Sequence, residues 1–342
     1  MFLYLNYLLA LGLTFVLPAL TTTSIALDAR SQQEQGLTSS TPVFEFSNPT
    51  WLENIAVRHN GQILVTSIST PALVQVDPSG SLQPIDVAII PDATSLLGIV
   101  ELQTDVSYLI AGNLSNVTAD YLVFPSKIWS VDLRHLQTDD QGVVLHPSVL
   151  SLVADLSTST FLNTLTTITP NDTSAILISD SGAGHVLRLD VSTGASTVVL
   201  KDYTTISPIS GVAGVTGIHT HDGELYYAKF ASQKFFKVAI SPQGRPTGPP
   251  TLILNDTLVD DFSLSRDGKK AYAATNPRNS IIEIDIPGRT SRMLIDALNA
   301  TSSALGRPNA DFGSVYVVTG GGLDFPLTLP GMRGGQVIRI DL

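Results

Sequence analysis

The residues of this 342-residue chain best suited to chemistry are two acidic groups. Glu53 stands in the run Trp51-Leu52-Glu53-Asn54, and Asp260-Asp261 precede Phe262-Ser263-Leu264. Each lies where a β-rich segment begins, a place that a purely structural segment fills with small or apolar residues. Carboxylates in such a place can hold a divalent cation or exchange protons. They can equally solvate a channel or cap a loop. Thr216 and Asn276 occupy similar boundaries and can donate or accept hydrogen bonds. Trp51, Phe230 and Phe325 are able to wall an apolar pocket or to pack between sheets. His219 and His221 share one face of a strand by their i, i+2 spacing and could share a metal. However, His221 abuts the Asp222-Gly223 turn, away from the carboxylates. Gly320-Gly321-Gly322 and Gly334-Gly335 open no helix, so they are not read as phosphate cradles. No Ser/His/Asp pattern can be assembled, and the absence of cysteine removes thiolate nucleophiles and cysteine metal sites.

The elements that must position these groups recur along the chain. A short apolar strand meets a tight polar turn, a second strand rich in Val, Ile, Tyr or Ala follows, and a variable loop leads to a strand ending near Asp. The clearest copies begin at Leu52, Val215 and Asp261 and turn at Asn60-Gly61, Asp222-Gly223 and Asp267-Gly268. Such dipeptides suit hairpin turns, which in the two-residue form need positive φ at both central residues. Weaker copies run from Leu96, Leu165 and Ser314. Their spacing of about 45 residues is the period of a four-stranded propeller blade. Six copies predict an all-β, six-bladed β-propeller over residues 42–342. The last copy ends at Leu342 after its third strand, and the missing strand is available upstream in Pro42-Val43-Phe44-Glu45-Phe46-Ser47. Pairing the two would close the ring and remove sheet edges.

This topology predicts where a site belongs. If the innermost strands start at one face, the regular turns lie on the other, and the long loops (67–71, 112–125, 179–184, 229–233, 275–279 and 320–335) gather with Trp51, Glu53, Thr216 and Asp261. Variable loops on one rim of a rigid scaffold are where binding resides.

Residues 1–26 read as a signal peptide: an apolar run from Tyr7 to Leu20 leads to Ser24-Ile25-Ala26, with small residues before the expected cut. The other reading of that run is a signal anchor. Residues 27–41 are polar and are expected to be flexible. Asn113, Asn116, Asn171, Asn255 and Asn299 each fit the N-glycosylation pattern, so a secreted or lumenal glycoprotein is expected. No later segment is long enough to insert stably in a membrane. A formal charge of −11 argues against nucleic acid as a partner.

Trp51–Val57, Val215–Ile218, Asp260–Gly268, Ala274–Pro277 and Tyr316–Gly322 together resemble the fungal branch of the gluconolactonase/senescence-marker-protein-like propellers. The superfamily also includes strictosidine-synthase-like enzymes. Its lactonases hold calcium through a Glu, two Asn and an Asp. The resemblance places Glu53 at the Glu and Asp261 at the Asp, but Gly98 and Thr216 at the two Asn positions, which leaves the cation poorly held. The fungal branch also resembles hetero-Diels–Alderases that join a quinone methide to a terpene. That chemistry needs no cofactor, only a shaped apolar pocket for a small apolar metabolite. Thus a metal-independent cyclase is expected first, a calcium-dependent lactonase-type hydrolase second, and a non-catalytic binding propeller third.

Overall fold

The computed structural model describes residues 38–113, 124–139, 141–307, 311–322 and 333–342. The expected leader, residues 27–37, Asn116 and Phe325 lie outside them. Six four-stranded antiparallel sheets follow one another around a central axis. Blade one is β2 (Leu52–Val57), β3 (Ile63–Ser67), β4 (Ala72–Val76) and β5 (Ile85–Ile89). Blade two is β6 (Ser95–Gln103), β7 (Val106–Gly112), β8 (Ser126–Asp132) and β11 (Val149–Leu156), with a small added hairpin, β9 (Gln137–Thr138) and β10 (Val144–His146). Blade three runs from β12 (Leu162–Thr167) through β13 (Ala175–Asp180) and β14 (His185–Asp190) to β15 (Ser196–Leu200). Blade four runs from β16 (Val215–His221) through β17 (Glu224–Lys229) and β18 (Lys234–Ala239) to β19 (Thr251–Leu254). Blade five has β20 (Phe262–Leu264), β21 (Lys270–Ala274), β22 (Ser280–Asp285) and β23 (Thr290–Asp296).

The sixth blade combines both ends of the described chain. Its order is β1 (Ser40–Glu45), β26 (Gln336–Asp341), β25 (Ser314–Thr319) and β24 (Ala300–Leu305). The N-terminal strand therefore supplies the outermost position, as expected, through pairs such as Thr41 with Arg339. The innermost strand begins at Ala300, one strand earlier than the Ser314 start read from the repeat. Its Ala-Thr-Ser-Ser composition lacks the apolar alternation that marks the other copies.

Apolar side chains on the blade faces meet between neighbours, so the core is divided into six clusters, one per junction. Val57, Val65, Tyr316 and Val337 join blades one and six, while Ile168, Leu177, Ile218 and Tyr227 join blades three and four. Each sheet is thereby covered on both faces, which explains why middle strands such as β3 and β13 are buried throughout. Among the described residues no helix is long and apolar enough to cross a membrane.

The hairpin turns have two geometries. Asp222 and Gly223 both have positive φ, 47° and 76°, and connect β16 to β17 in two residues. At the other two sites only the glycine is left-handed, Gly61 at 90° and Gly268 at 65°. There a wider turn closes first, with Gly61 N–H donating to Arg58 O at 3.0 Å and Gly268 N–H to Ser265 O at 2.9 Å. The expectation of two positive φ values thus holds for Asp222-Gly223 alone, because an extra residue lets the glycine restore the strand twist.

Candidate active site

Five of the six innermost strands are offset near their start, and β20, which pairs without a break, is preceded by Asp260 and Asp261 both bonded to Ala274. Pairing of β2 with β3 skips a residue between Leu52 and Ile55, and the same irregularity falls between Leu96 and Ile99, Leu162 and Leu165, and Val215 and Ile218. Such a bulge re-aims side chains at the channel. Counted from it, Glu53 is level with Leu97, Asn163, Thr216, Asp260 and Thr301. Asn54 is level with Gly98, Thr164, Gly217, Asp261 and Ser302. Glu53 and Asp261 therefore belong to successive layers. The amide in Glu53's layer is Asn163, a residue the motif reading missed because a one-residue offset is invisible in the repeat.

The lower layer is tied together by Asp261, only 3% exposed. Its Oδ2 accepts Asn54 Nδ2–H at 3.0 Å and Ser302 Oγ–H at 2.7 Å, and its Oδ1 lies 3.0 Å from His219 Nε2. One carboxylate thus links blades one, four, five and six. Gly217 makes this approach possible, since a Cβ there would lie 2.6 Å from Asp261 Oδ1. His219 is held further by its edge-on contact with Phe262, ring centroids 4.8 Å apart. It stands in the channel, while His221 turns to Asp222 at 3.3 Å. Their i, i+2 spacing could have flagged His219; the position of His221 obscured it.

In the upper layer Trp51 Nε1–H donates to Glu53 Oε2 at 2.8 Å. The indole is buried, and a Cβ on Gly320 would fall 2.7 Å from its Cδ2, so only a glycine allows the ring to lie there. Burial pushes the Glu53 carboxyl up to about 7 against the pull of the Trp51 hydrogen bond, and the nearby Asp261 adds to the rise. Asp260 is pushed well above the ordinary carboxylate range by burial, then by the charges of Glu53 and Asp261. Asn276 Nδ2–H reaches Asp260 Oδ2 at 3.4 Å. Fold and sequence therefore bring Trp51, Glu53, Asp260, Asp261 and Asn276 together at one mouth.

Two expected residues stand elsewhere in function. The Thr216 hydroxyl donates to Val259 O at 3.4 Å, an interblade tie. Phe230 begins a short 3-10 turn and is buried in the apolar cluster joining blades two and three. Among the glycosylation candidates, Asn171 and Asn255 are exposed and Asn113 is half-buried. Asn299 Nδ2, the atom a glycan would join, donates to Gly321 O at 2.9 Å.

The donor set does not fit a calcium ion. Both Asp261 oxygens are engaged, Asn54 Oδ1 accepts Ile55 N–H at 2.9 Å, and Thr216 is turned to the backbone. Gly98 offers no side chain, and a Cβ there would be 2.7 Å from Asn163 O. Among the described residues no three His, Asp or Glu side chains converge on a metal position. Calcium requires about six to eight oxygen ligands.

No family model matches the chain. A provisionally named hetero-Diels–Alderase of Sarocladium schorii is 26% identical over 356 residues, covering 92% of this chain and 80% of that protein. A second, from a Phoma species, is 26% identical over 333 residues, covering 85% and 89%. Of solved structures, a luciferin-regenerating enzyme superposes with TM-score 0.62 at 13% identity, covering 89% of this chain and 95% of its own. A calcium-binding regucalcin of Agrobacterium tumefaciens gives 0.58 at 14%, covering 89% and 93%. The chain thus has hetero-Diels–Alderase homologues and regucalcin-like propeller neighbours, the resemblance its motifs carry, and the structural likeness speaks for the fold alone.

Proposed function

We propose that this chain is a cyclase-type enzyme that closes a ring by hetero-Diels–Alder addition at the channel mouth. Its substrates on this reading are small and apolar, of the quinone-methide-plus-terpene class, and no metal takes part. The homologues support an enzyme of cyclase-like kind. The observation that carries the chemical reading is the Glu53 carboxyl, half-buried, anchored through Oε2 by Trp51 and raised to about 7.

Protonated, Glu53 has Oε1 free to present an O–H to the heterodiene oxygen. As the new bonds form, electron density grows on that oxygen, so the hydrogen bond is stronger in the transition state than with the bound substrate. Asp260, also held toward its neutral form, can add a second donor. Beneath them Asp261 fixes the channel wall through Asn54, Ser302 and His219. Holding two apolar partners against this rigid mouth supplies the positioning that a bimolecular cycloaddition lacks in water.

The test is to supply the full chain with an ortho-quinone methide formed in solution and a sesquiterpene alkene. The expected result is one enantiomer of the adduct, formed faster than background and insensitive to chelator. Racemic adduct at the background rate would end this reading. Calcium-dependent lactone hydrolysis would favour the hydrolase that the regucalcin-like fold also accommodates, and tight binding without turnover would favour a binding propeller.

We propose in addition that the chain enters the secretory pathway through residues 1–26. Exposed Asn171 is the sequon best placed to carry a glycan, since Asn255, also exposed, donates its Nδ2–H to Asp256 Oδ2 at 2.7 Å. Mass analysis of the native protein before and after glycosidase treatment, with its mature N-terminus, tests both points.

A further inference from the structure

Trp51 holds Glu53, and something must hold Trp51. Its backbone N–H donates to Ser69 Oγ at 2.9 Å, which fixes the chain but leaves the indole plane to its neighbours. One ring face lies on Gly320, so the height of the Gly320–Gly321 main chain decides where the indole rests. Thr319 Oγ1 accepts Gly321 N–H at 3.4 Å, and the two shorter bonds to that main chain come from one residue. Asn299 O accepts Gly320 N–H at 2.8 Å, and Asn299 Nδ2–H reaches Gly321 O at 2.9 Å. Asn299 is itself set by blade five, where Asn279 Oδ1 accepts its backbone N–H at 2.8 Å. Both asparagines are left-handed, with φ of 58° and 51°, a conformation that asparagine tolerates better than most residues.

We propose that Asn299 is a positioning residue for the channel mouth, clamping Gly320–Gly321 against Trp51 and thereby aiming the indole N–H at Glu53. The inference deepens the cyclase reading and rests on it for its catalytic consequence. It makes Asn299 a clamp whose amide nitrogen is committed to the fold, despite its place in an Asn-Ala-Thr sequon. The clamp ties blade five to blade six immediately beside the site, so one lost donor is transmitted through a glycine with no side chain to compensate.

The chain has two tryptophans, so Trp129→Phe leaves Trp51 as the sole indole reporter. In that background Asn299→Asp keeps a residue that accepts the left-handed backbone but replaces the donor with an acceptor. Trp51 emission is expected to shift to the red, and its quenching by acrylamide to rise about twofold. The kcat for cycloaddition is expected to fall about tenfold with KM within about twofold, since misplacement rather than binding is the fault. Gly320→Ala, which pushes a methyl into the ring, should reproduce both changes and serves if Asn299→Asp fails to fold. Unchanged Trp51 emission and quenching in both variants would overturn the clamp. Altered fluorescence with normal kcat would overturn its role in positioning. If the wild type shows no cycloaddition, the functional reading falls, and the fluorescence arm still decides the clamp.

Discussion

Asn54 and Asp261 are separated by 207 positions in the chain and joined by a 3.0 Å hydrogen bond across the channel. Because Asp261 also receives Ser302 and faces His219, it ties four blades at the level just beneath Glu53. Cohesion between blades and the shape of the mouth therefore depend on the same buried group.

A double-mutant cycle tests that link. Asn54→Ala and Asp261→Ala each leave buried partners unsatisfied, and the pair should couple by about 1–2 kcal/mol in denaturant unfolding. The cycle cancels the separate relief of Asp261's repulsion toward Glu53 and Asp260. A coupling below about 0.3 kcal/mol would show that the two groups act independently.

Glu53 gives a pH signature. Its folded carboxyl titrates near 7 against an ordinary 4.5, so between these values the unfolded chain has released its proton while the folded chain retains it. Stability should therefore fall as pH rises through this window and level off above about 7. Glu53→Gln should flatten that part of the melting-temperature profile and be relatively more stable on the alkaline side. Turnover of the wild type should decline above about 7, whereas the amide variant, which always has a donor, should be slower but flat. Identical stability profiles for both proteins would contradict the raised carboxyl.

Restoring an asparagine at Gly98 tests the metal question. Its Cβ would meet the Asn163 carbonyl and the Thr164 Cα at 2.7 and 2.9 Å, both backbone atoms of the next blade. Gly98→Asn should cost about 1–3 kcal/mol through overpacking and create no calcium affinity by calorimetry. In the wild type, chelation should leave melting temperature and turnover unchanged. Stoichiometric calcium by elemental analysis, with activity lost to chelator, would move the assignment to the hydrolase.

The two rims should respond differently to substitution. Trp51→Ala removes both the Glu53 anchor and a pocket wall, and should lower kcat about tenfold or more while the six interblade cores keep the ring folded. His221→Ala, at the far turn, should leave turnover within about twofold. Loss of activity in the second variant with the first intact would place the site on the wrong rim.

Much of this architecture was legible in local residue patterns. Period-two alternation, the Gly-containing turns and the repeat length define six four-stranded units because strand pairing and turn geometry are short-range effects. The terminal shortage of one strand and the spare segment before Leu52 were enough to pair β1 with β26. Chain direction then placed Trp51, Glu53 and Asp261 at the same mouth.

Which of these side chains touch could be settled only in three dimensions. The offset at the start of five inner strands, and the pairing of both Asp260 and Asp261 with Ala274 before β20, shift alignment by one residue, so Glu53 is level with Asp260 and Asn163, and Asp261 with Asn54 and Ser302. Adjacent strand residues face opposite ways, and a one-residue offset exchanges the group that reaches a neighbour for the one that turns away. The contact of His219 was likewise out of reach of local pattern, because its partner Asp261 lies 42 positions away on another blade. Local pattern specifies strands and their ends; the contacts among six strand ends depend on packing between blades, a long-range property that no single repeat contains.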